Sequence, residues 1–428
     1  MSAEKPRQIA VRVLRRHAEG KNWLEQVLEV ELPPGALAAP DRALVQELCF
    51  GVVRWQAALD WLIARKTAGR KQNSLLQILL RLGLYQLFWL DRIPDHAAVH
   101  ETVQIARELG FGPKAGFINA LLRGCLRERE TLEPELTTLK DREPHVGCSH
   151  PQWLCARWEG RWGREKLRAL LDWNNTPPAV FARVNTLKTT AEKLARQFEM
   201  EGVLFTPRAF DWCPRDLVFE LRTHPPLPSL PSFQQGFFYV QDPGTLLAVH
   251  ELNPQPGETV LDLCAAPGGK TTFIAQIMRN QGIVRAQDAN KERLKLLGEN
   301  CERLGATCVQ VGTAAGPTGQ KHDRILIDAP CSNTGVMRRR VDLRWRVRPA
   351  EIDRLSRVQL KLLREAAESL KPGGTLVYST CSLEPEENGL VVQKFLKDKT
   401  HFRLKSERAL VPFADGVDGA YVAKLRCD

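Results

Sequence analysis

From about residue 241 to the end, short β-branched apolar runs alternate with stretches of helical spacing, and this alternation constrains the fold more than any other feature. ETVLDLCAAP, GIVRAQDAN, ATCVQVG, DRILIDAP, GGTLVYSTC and DGAYVAKLRC read as strands. KTTFIAQIMRN, KERLKLLGENCERLG, RPAEIDRLSRVQLKLLREAAESL and PEENGLVVQKFLKD read as helices. Repeated βα units predict a mostly parallel sheet with helices on both faces, an α/β domain over residues 241–428. In such a sheet the loops beyond the carboxyl ends of the strands form the ligand crevice.

The front of the chain has a different texture. Over residues 1–140 the apolar residues recur at helical spacing, as in RALVQELCFGVVRWQAALDWLIARK and SLLQILLRLGLYQLFWL, without strand alternation. Asp41, after Pro40, is placed to cap the first of these, and Pro94 separates the second from HAAVHETVQIARELG. This predicts an all-α domain. Residues 145–240 begin with further helix (HPQWLCARWEGRWGREKLRALLDW), then a strand in TPPAVFARVNTLKTT, then short apolar stretches broken by prolines. They read as a small α+β subdomain. The tryptophans from Trp153 to Trp173 suit either base stacking or a packed core.

At 428 residues the chain exceeds one ordinary domain, in keeping with this division. A net charge of +11 favours a polyanionic partner, which charge alone leaves open among RNA, DNA and anionic membrane. No apolar run approaches the roughly 20 residues of a membrane span, and the opening MSAEKPRQIAVRVLRR lacks a signal core. A cytoplasmic protein is expected, and nothing demands more than a monomer. The eleven cysteines lack any Cys-x-x-Cys pair or zinc spacing, so no metal site is expected and most should be small buried hydrophobes.

Chemistry concentrates at four strand ends. In VLDLCAAPGGKTTF, Gly268 and Gly269 allow a ligand to approach the backbone at the mouth of a helix. The run is neither a P-loop nor the dinucleotide fingerprint, which disfavours nucleoside triphosphates. Asp288 ends the next strand, where an acid can accept bonds from both ribose hydroxyls of an adenosyl ligand. Asp328 ends RILID, either as a working carboxyl or as a simple turn cap, and Cys331 follows it. Cys381 lies just past LVYST. If those two strands are neighbours, both sulfurs and Asp328 line one pocket.

LDLCAAPGGKT, DAPCS-x-TG and YSTCS-x-x-PEEN together resemble the RNA cytosine-carbon-5 methyltransferases that use S-adenosylmethionine. The front end, through IPDHAAVHETVQIA and AGFINALLR, resembles the NusB domain. With HPQWL-x-x-RW and FARVNTLK between them, the whole chain is similar to the RsmB (Sun/Fmu) family of small-subunit ribosomal RNA methyltransferases. The resemblance implies a Rossmann-like catalytic domain, S-adenosylmethionine as cofactor, and 16S ribosomal RNA or a small-subunit assembly intermediate as partner. It assigns Cys381 as nucleophile, Cys331 to product release and Asp328 to the ring nitrogen. Cys264, Ala265, Ala266, Pro267, Gly268, Gly269 and Lys270 would hold the methionine end and Asp288 the ribose, with Asp328 also on the cofactor's side. A transfer-RNA substrate and a non-catalytic RNA-binding assembly factor are the alternatives.

Two departures stand out. Gly312-Thr313 occupies the place where the family usually has Gly-Asp, and Arg340-Val341 stands where it often has His-Pro. The arginines around the second (Arg338, Arg339, Arg340, Arg344, Arg346) form either a phosphate-contacting loop or a solvated basic surface.

Overall fold

The computed structural model describes residues 5–33, 35–313 and 320–428. Packing divides the chain into two compact units. One comprises the residues up to Thr176 together with Met337–Arg346; the other comprises Pro177–Val336 and Val347–Asp428.

The first unit is helical. The long apolar stretch after Pro40 forms two helices, Ala39–Arg54 and Gln56–Thr67, broken at Trp55. Asp41 sits inside the first turn rather than at the cap, because Pro40 already occupies a first-turn position where its missing N–H is harmless. Ser74–Trp89 starts where the Asn73 side chain accepts from Leu76 N, and Pro94 precedes Asp95–Glu108 as expected. Leucines, isoleucines and valines from these helices form one core.

The helices Gln152–Trp162 and Arg164–Asn175, expected in the middle subdomain, pack in this unit instead. Ser149 Oγ accepts from Ala57 N at 2.7 Å, tying their leading turn to the front helices. Trp158 is completely buried, so for it the packed-core alternative holds.

The inserted segment Met337–Arg346 corrects the reading of the arginine cluster. Arg344 is fully buried and donates to the carbonyls of Arg54 (3.3 Å), Ser149 (3.2 Å) and Asn174 (3.0 Å) and to Asn175 Oδ1 (2.8 Å). Arg338 is buried over the Trp173 ring at 4.0 Å. Arg346 donates to Lys21 O and Asn22 O and lies over Trp23. These three cannot form a phosphate-contacting loop, because their guanidinium groups are spent on carbonyls and aromatic faces inside the unit. Of the five, only Arg340 is exposed.

The second unit holds two sheets. Strands β1 (Val180–Val184), β2 (Leu204–Arg208), β3 (Val218–Thr223) and β4 (Phe238–Val240) pair antiparallel in the order β2-β3-β1-β4. The larger sheet contains β5 (Thr259–Leu263), β6 (Ile283–Asp288), β7 (Val309–Thr313), β8 (His322–Asp328), β9 (Leu370–Thr380), β10 (Phe402–Leu410) and β11 (Ala420–Cys427). Its order is β10-β11-β9-β8-β5-β6-β7, with β5 to β9 parallel and β11 antiparallel to both its neighbours. The polar run FRLKSERAL carries no apolar alternation, which is why β10, an edge strand, escapes sequence reading.

Period-2 alternation distributes the sheet's side chains between two cores. Val260, Leu326, Val377 and Val422 pack on one face with Phe273 and Ile274. Leu261, Ile325, Ile327, Leu376 and Tyr378 pack on the other with Leu363 and Phe395. The chain winds outward from β5 through β6 to β7, then returns to lay β8 on the opposite side of β5. The crevice beyond β5 and β8 is therefore the topological switch point.

Candidate active site at the carboxyl ends of the central strands

Strands β8 and β9 are direct neighbours, and Asp328 is in register with Ser379. Their following loops consequently carry the two cysteines to one place. Cys331 Sγ lies 3.1 Å from Cys381 Sγ, and both are free thiols. Cys331 is buried, whereas Cys381 is partly exposed. Eight of the eleven cysteines are buried, so partial exposure sets Cys381 apart from most of the others. Its thiol also reaches Asn333 Oδ1 at 2.9 Å, and Asn333 Nδ2 in turn donates to Cys331 O at 2.8 Å. The Cys331 thiol is pushed well above its ordinary range, first by its hydrogen bond to Cys381 and then by burial.

Lys270, in the first turn of helix Gly269–Ile277, places its Nζ 2.7 Å from Asp328 Oδ2. Burial works against the ammonium, but the Asp328 charge and hydrogen bond outweigh it, and the Lys270 pKa is raised. Asp328 thus belongs to an ion pair rather than serving only as a turn cap. Among the groups bearing on Lys270 electrostatically are Asp328, Cys381 and Asp262, which places thiol, ammonium and carboxylates in one region of the unit.

The turn after β5 is shaped for a ligand. Cys264 (φ 60°) and Gly268 (φ 102°) adopt left-handed backbone, and a Cβ on Gly268 would press Leu297 Cγ at 3.2 Å. Burial lifts the Cys264 thiol to about 12, leaving it protonated and inert. At the end of β6, Asp288 is buried; its Oδ2 accepts from Ala266 N at 3.2 Å and its Oδ1 from Asn290 N at 2.9 Å. Each oxygen keeps a lone pair for a hydroxyl. Thr313, in register with Asp288, is exposed at the end of β7.

Sequence reasoning passed over Asp262, Asn333 and Glu387. Asp262 is fully buried in β5; its Oδ2 accepts from Thr271 Oγ1 at 2.6 Å, while Oδ1 has no partner among the described residues. An acid inside the apolar run VLDL was the available signal, because a buried carboxyl without full pairing is costly. Carboxylates at β5, β6 and β8, one with an unpaired oxygen, match a ligand bearing an ammonium, a sulfonium and two ribose hydroxyls. The residues present therefore fit S-adenosylmethionine.

Comparison with known proteins identifies the family. Residues 249–426 match the family described as 16S rRNA methyltransferase RsmB/F, residues 4–127 the NusB family, and residues 150–218 the RsmF/B-like ferredoxin-like domain. The last spans part of both packing units and includes β1 to the first residue of β3. The chain is 34% identical over 451 residues to the probable ribosomal RNA small subunit methyltransferase B of Bacillus subtilis (strain 168), covering 98% of each. It is 38% identical over 418 residues to ribosomal RNA small subunit methyltransferase B of Shigella sonnei (strain Ss046), covering 94% of each. Among solved structures, a methyltransferase homolog protein from Pyrococcus horikoshii superposes with a TM-score of 0.58 at 31% identity, covering 66% of this chain and 97% of that one. The chain belongs to the RsmB/F family of 16S rRNA methyltransferases, which depend on S-adenosylmethionine.

Proposed function

We propose that this chain methylates carbon 5 of a cytosine in 16S ribosomal RNA through a covalent adduct with Cys381. The observation that carries this reading is the pair of thiols 3.1 Å apart beside the Lys270–Asp328 pair. Carbon 5 of cytosine is a weak nucleophile and needs activation. Addition of the Cys381 thiolate to carbon 6 makes carbon 5 enamine-like, able to accept a methyl group. Charge developing at ring nitrogen 3 is met by the Lys270–Asp328 pair, in which the carboxylate holds the ammonium that supplies the proton. Loss of the carbon-5 proton to water and departure of the Cys381 thiolate then restore the aromatic ring. Cys331, held as a thiol, stands next to the departing sulfur and donates a hydrogen bond to it.

The turn Cys264–Lys270 and Asp262 hold the methionine end of S-adenosylmethionine, and Asp288 holds the ribose. When bound, the cofactor supplies an electrophilic methyl group. With Thr313 in place of an acid, either adenine is held by backbone alone or the cofactor binds more weakly. The target base must leave any stack to reach the crevice, which favours single-stranded or flipped RNA. The net charge of +11 supports salt-dependent grip on the phosphates. No helix among the described residues is long and apolar enough to cross a membrane. We place the activity in the cytoplasm, carried out by a monomer.

The test is adduct trapping with cytosine-containing 16S RNA and cofactor. Cys331→Ala is expected to accumulate a denaturant-resistant protein–RNA complex, and Cys381→Ala to form none. An adduct in the Cys381 variant would reverse the assignment.

A further inference from the structure

Glu387 lies six residues beyond Cys381 in the run CSLEPEEN, and its side chain is fully buried. Its Oε1 accepts from Ser332 N at 2.8 Å and from Gln359 Nε2 at 3.1 Å. Its Oε2 accepts from the hydroxyls of Ser332 and Ser382. All four donors are neutral. Ser332 directly follows Cys331, and Ser382 directly follows Cys381. A single carboxylate thus grips the residue after each thiol, joining loops that arise from two different strands.

The surroundings hold that carboxylate still. Tyr378 OH, from β9, donates to Glu387 O at 2.5 Å. The adjacent Asn388 brackets the Cys381 turn from both sides: Nδ2 donates to Ser382 O at 2.9 Å, and Oδ1 accepts from Thr380 Oγ1 at 2.6 Å. Gln359 Nε2 also donates to Pro330 O at 2.9 Å, immediately before Cys331. A carboxylate accepts from all four donors at once, whereas the isosteric amide keeps one accepting oxygen, for Ser332 N and Gln359 Nε2, and obliges both serine hydroxyls to reverse and accept its N–H groups, losing the charged acceptor.

We propose that Glu387 is a positioning residue that holds Cys331 and Cys381 at their working separation by fixing the residue that follows each. The proposal rests on the two-thiol mechanism above for its catalytic consequence, but the clamp itself is a property of the fold. Two thiols that must act on one base in succession need fixed mutual geometry, and misplacement by about 1 Å is enough to cost a large factor in rate.

The experiment uses the full chain and the diazene oxidant diamide. One thiol adds across the N=N bond and the second sulfur then displaces the hydrazine, so that one disulfide forms and the nitrogens take up both hydrogens; at saturating diamide the second, intramolecular step reports how often the sulfurs meet. Intact-protein and peptide mass spectrometry follows the Cys331–Cys381 bond. In Glu387→Gln the oxidation is expected to slow by about tenfold, and kcat for RNA methylation to fall by about tenfold or more with KM for RNA and cofactor unchanged. Ser332→Ala, which removes one grip and leaves the carboxylate in place, is expected to slow both to a smaller degree, and it decides the matter if Glu387→Gln does not fold. Wild-type oxidation and turnover in the folded variants would overturn the proposal, as would a raised KM at unchanged kcat. Slowed oxidation in the variants, with no cytosine methylation by the wild type, would uphold the clamp and sink the functional reading instead.

Discussion

Asp262 sets a pH dependence that can be worked out in advance. Its carboxyl is fully buried between Leu261 and Leu263, with one oxygen bonded to Thr271 and the other without a partner among the described residues. Burial, opposed by the Thr271 bond and reinforced by Asp328, carries its pKa from 3.8 to about 7. Because the folded value lies above the unfolded one, the fold favours the protonated acid. That contribution is fully present below 3.8, declines as pH rises through the window from 3.8 to about 7, and is gone above it. At about 1.36 kcal/mol per pH unit the full swing is roughly 4 kcal/mol, of which roughly 2–3 kcal/mol falls between about pH 5 and about pH 8. Asp262→Asn keeps the shape and removes the titration. Native-state hydrogen exchange of the peptide carrying β5, corrected for intrinsic rates, reads the opening free energy at the two pH values. The wild type is expected to lose roughly 2–3 kcal/mol relative to Asp262→Asn on going to the higher pH. Added S-adenosylmethionine should shrink the difference, since a cationic ligand favours the ionised acid. Parallel behaviour of the two proteins would refute the reasoning.

Two further outcomes follow from packing. Arg344→Ala strands the carbonyls of Arg54, Ser149 and Asn174 inside the helical unit, and should destabilise that unit by on the order of 3 kcal/mol, seen as a lowered melting transition and faster proteolysis within residues 5–176. Gly335→Ala would bring a Cβ to 2.5 Å from Gly419 O and 2.8 Å from Cys381 O, so the Cys381 turn must shift. A loss of stability of about 1–3 kcal/mol and a fall in kcat are expected, measurable by denaturation and single-turnover methyl transfer.

Much of the second unit was legible because most of its strands carry apolar, β-branched runs close to a glycine or proline; polar β10 is the exception. The neighbour relation of β8 and β9, on which the two-thiol pocket depended, was an open condition in the sequence; the parallel register of Asp328 with Ser379 supplies it. The arginine cluster was misread for an equally physical reason. A run of basic residues says nothing about whether carbonyl acceptors wait for it, and Arg344 finds its acceptors in residues nearly 170 to 290 positions away.

What the sequence determined alone was local: which runs extend, which coil, where glycine lets a turn tighten, and which thiols and acids sit at strand ends. Those features depend on neighbours within a few residues, so spacing and side-chain type suffice to read them. Tertiary structure alone decided the pairings across the sheet: the 3.1 Å between the sulfurs, the Lys270–Asp328 ion pair and the convergence of two serine loops on Glu387. These join groups some 50 residues or more apart in most cases, and their partners are chosen by strand order and burial, which no short window of sequence contains.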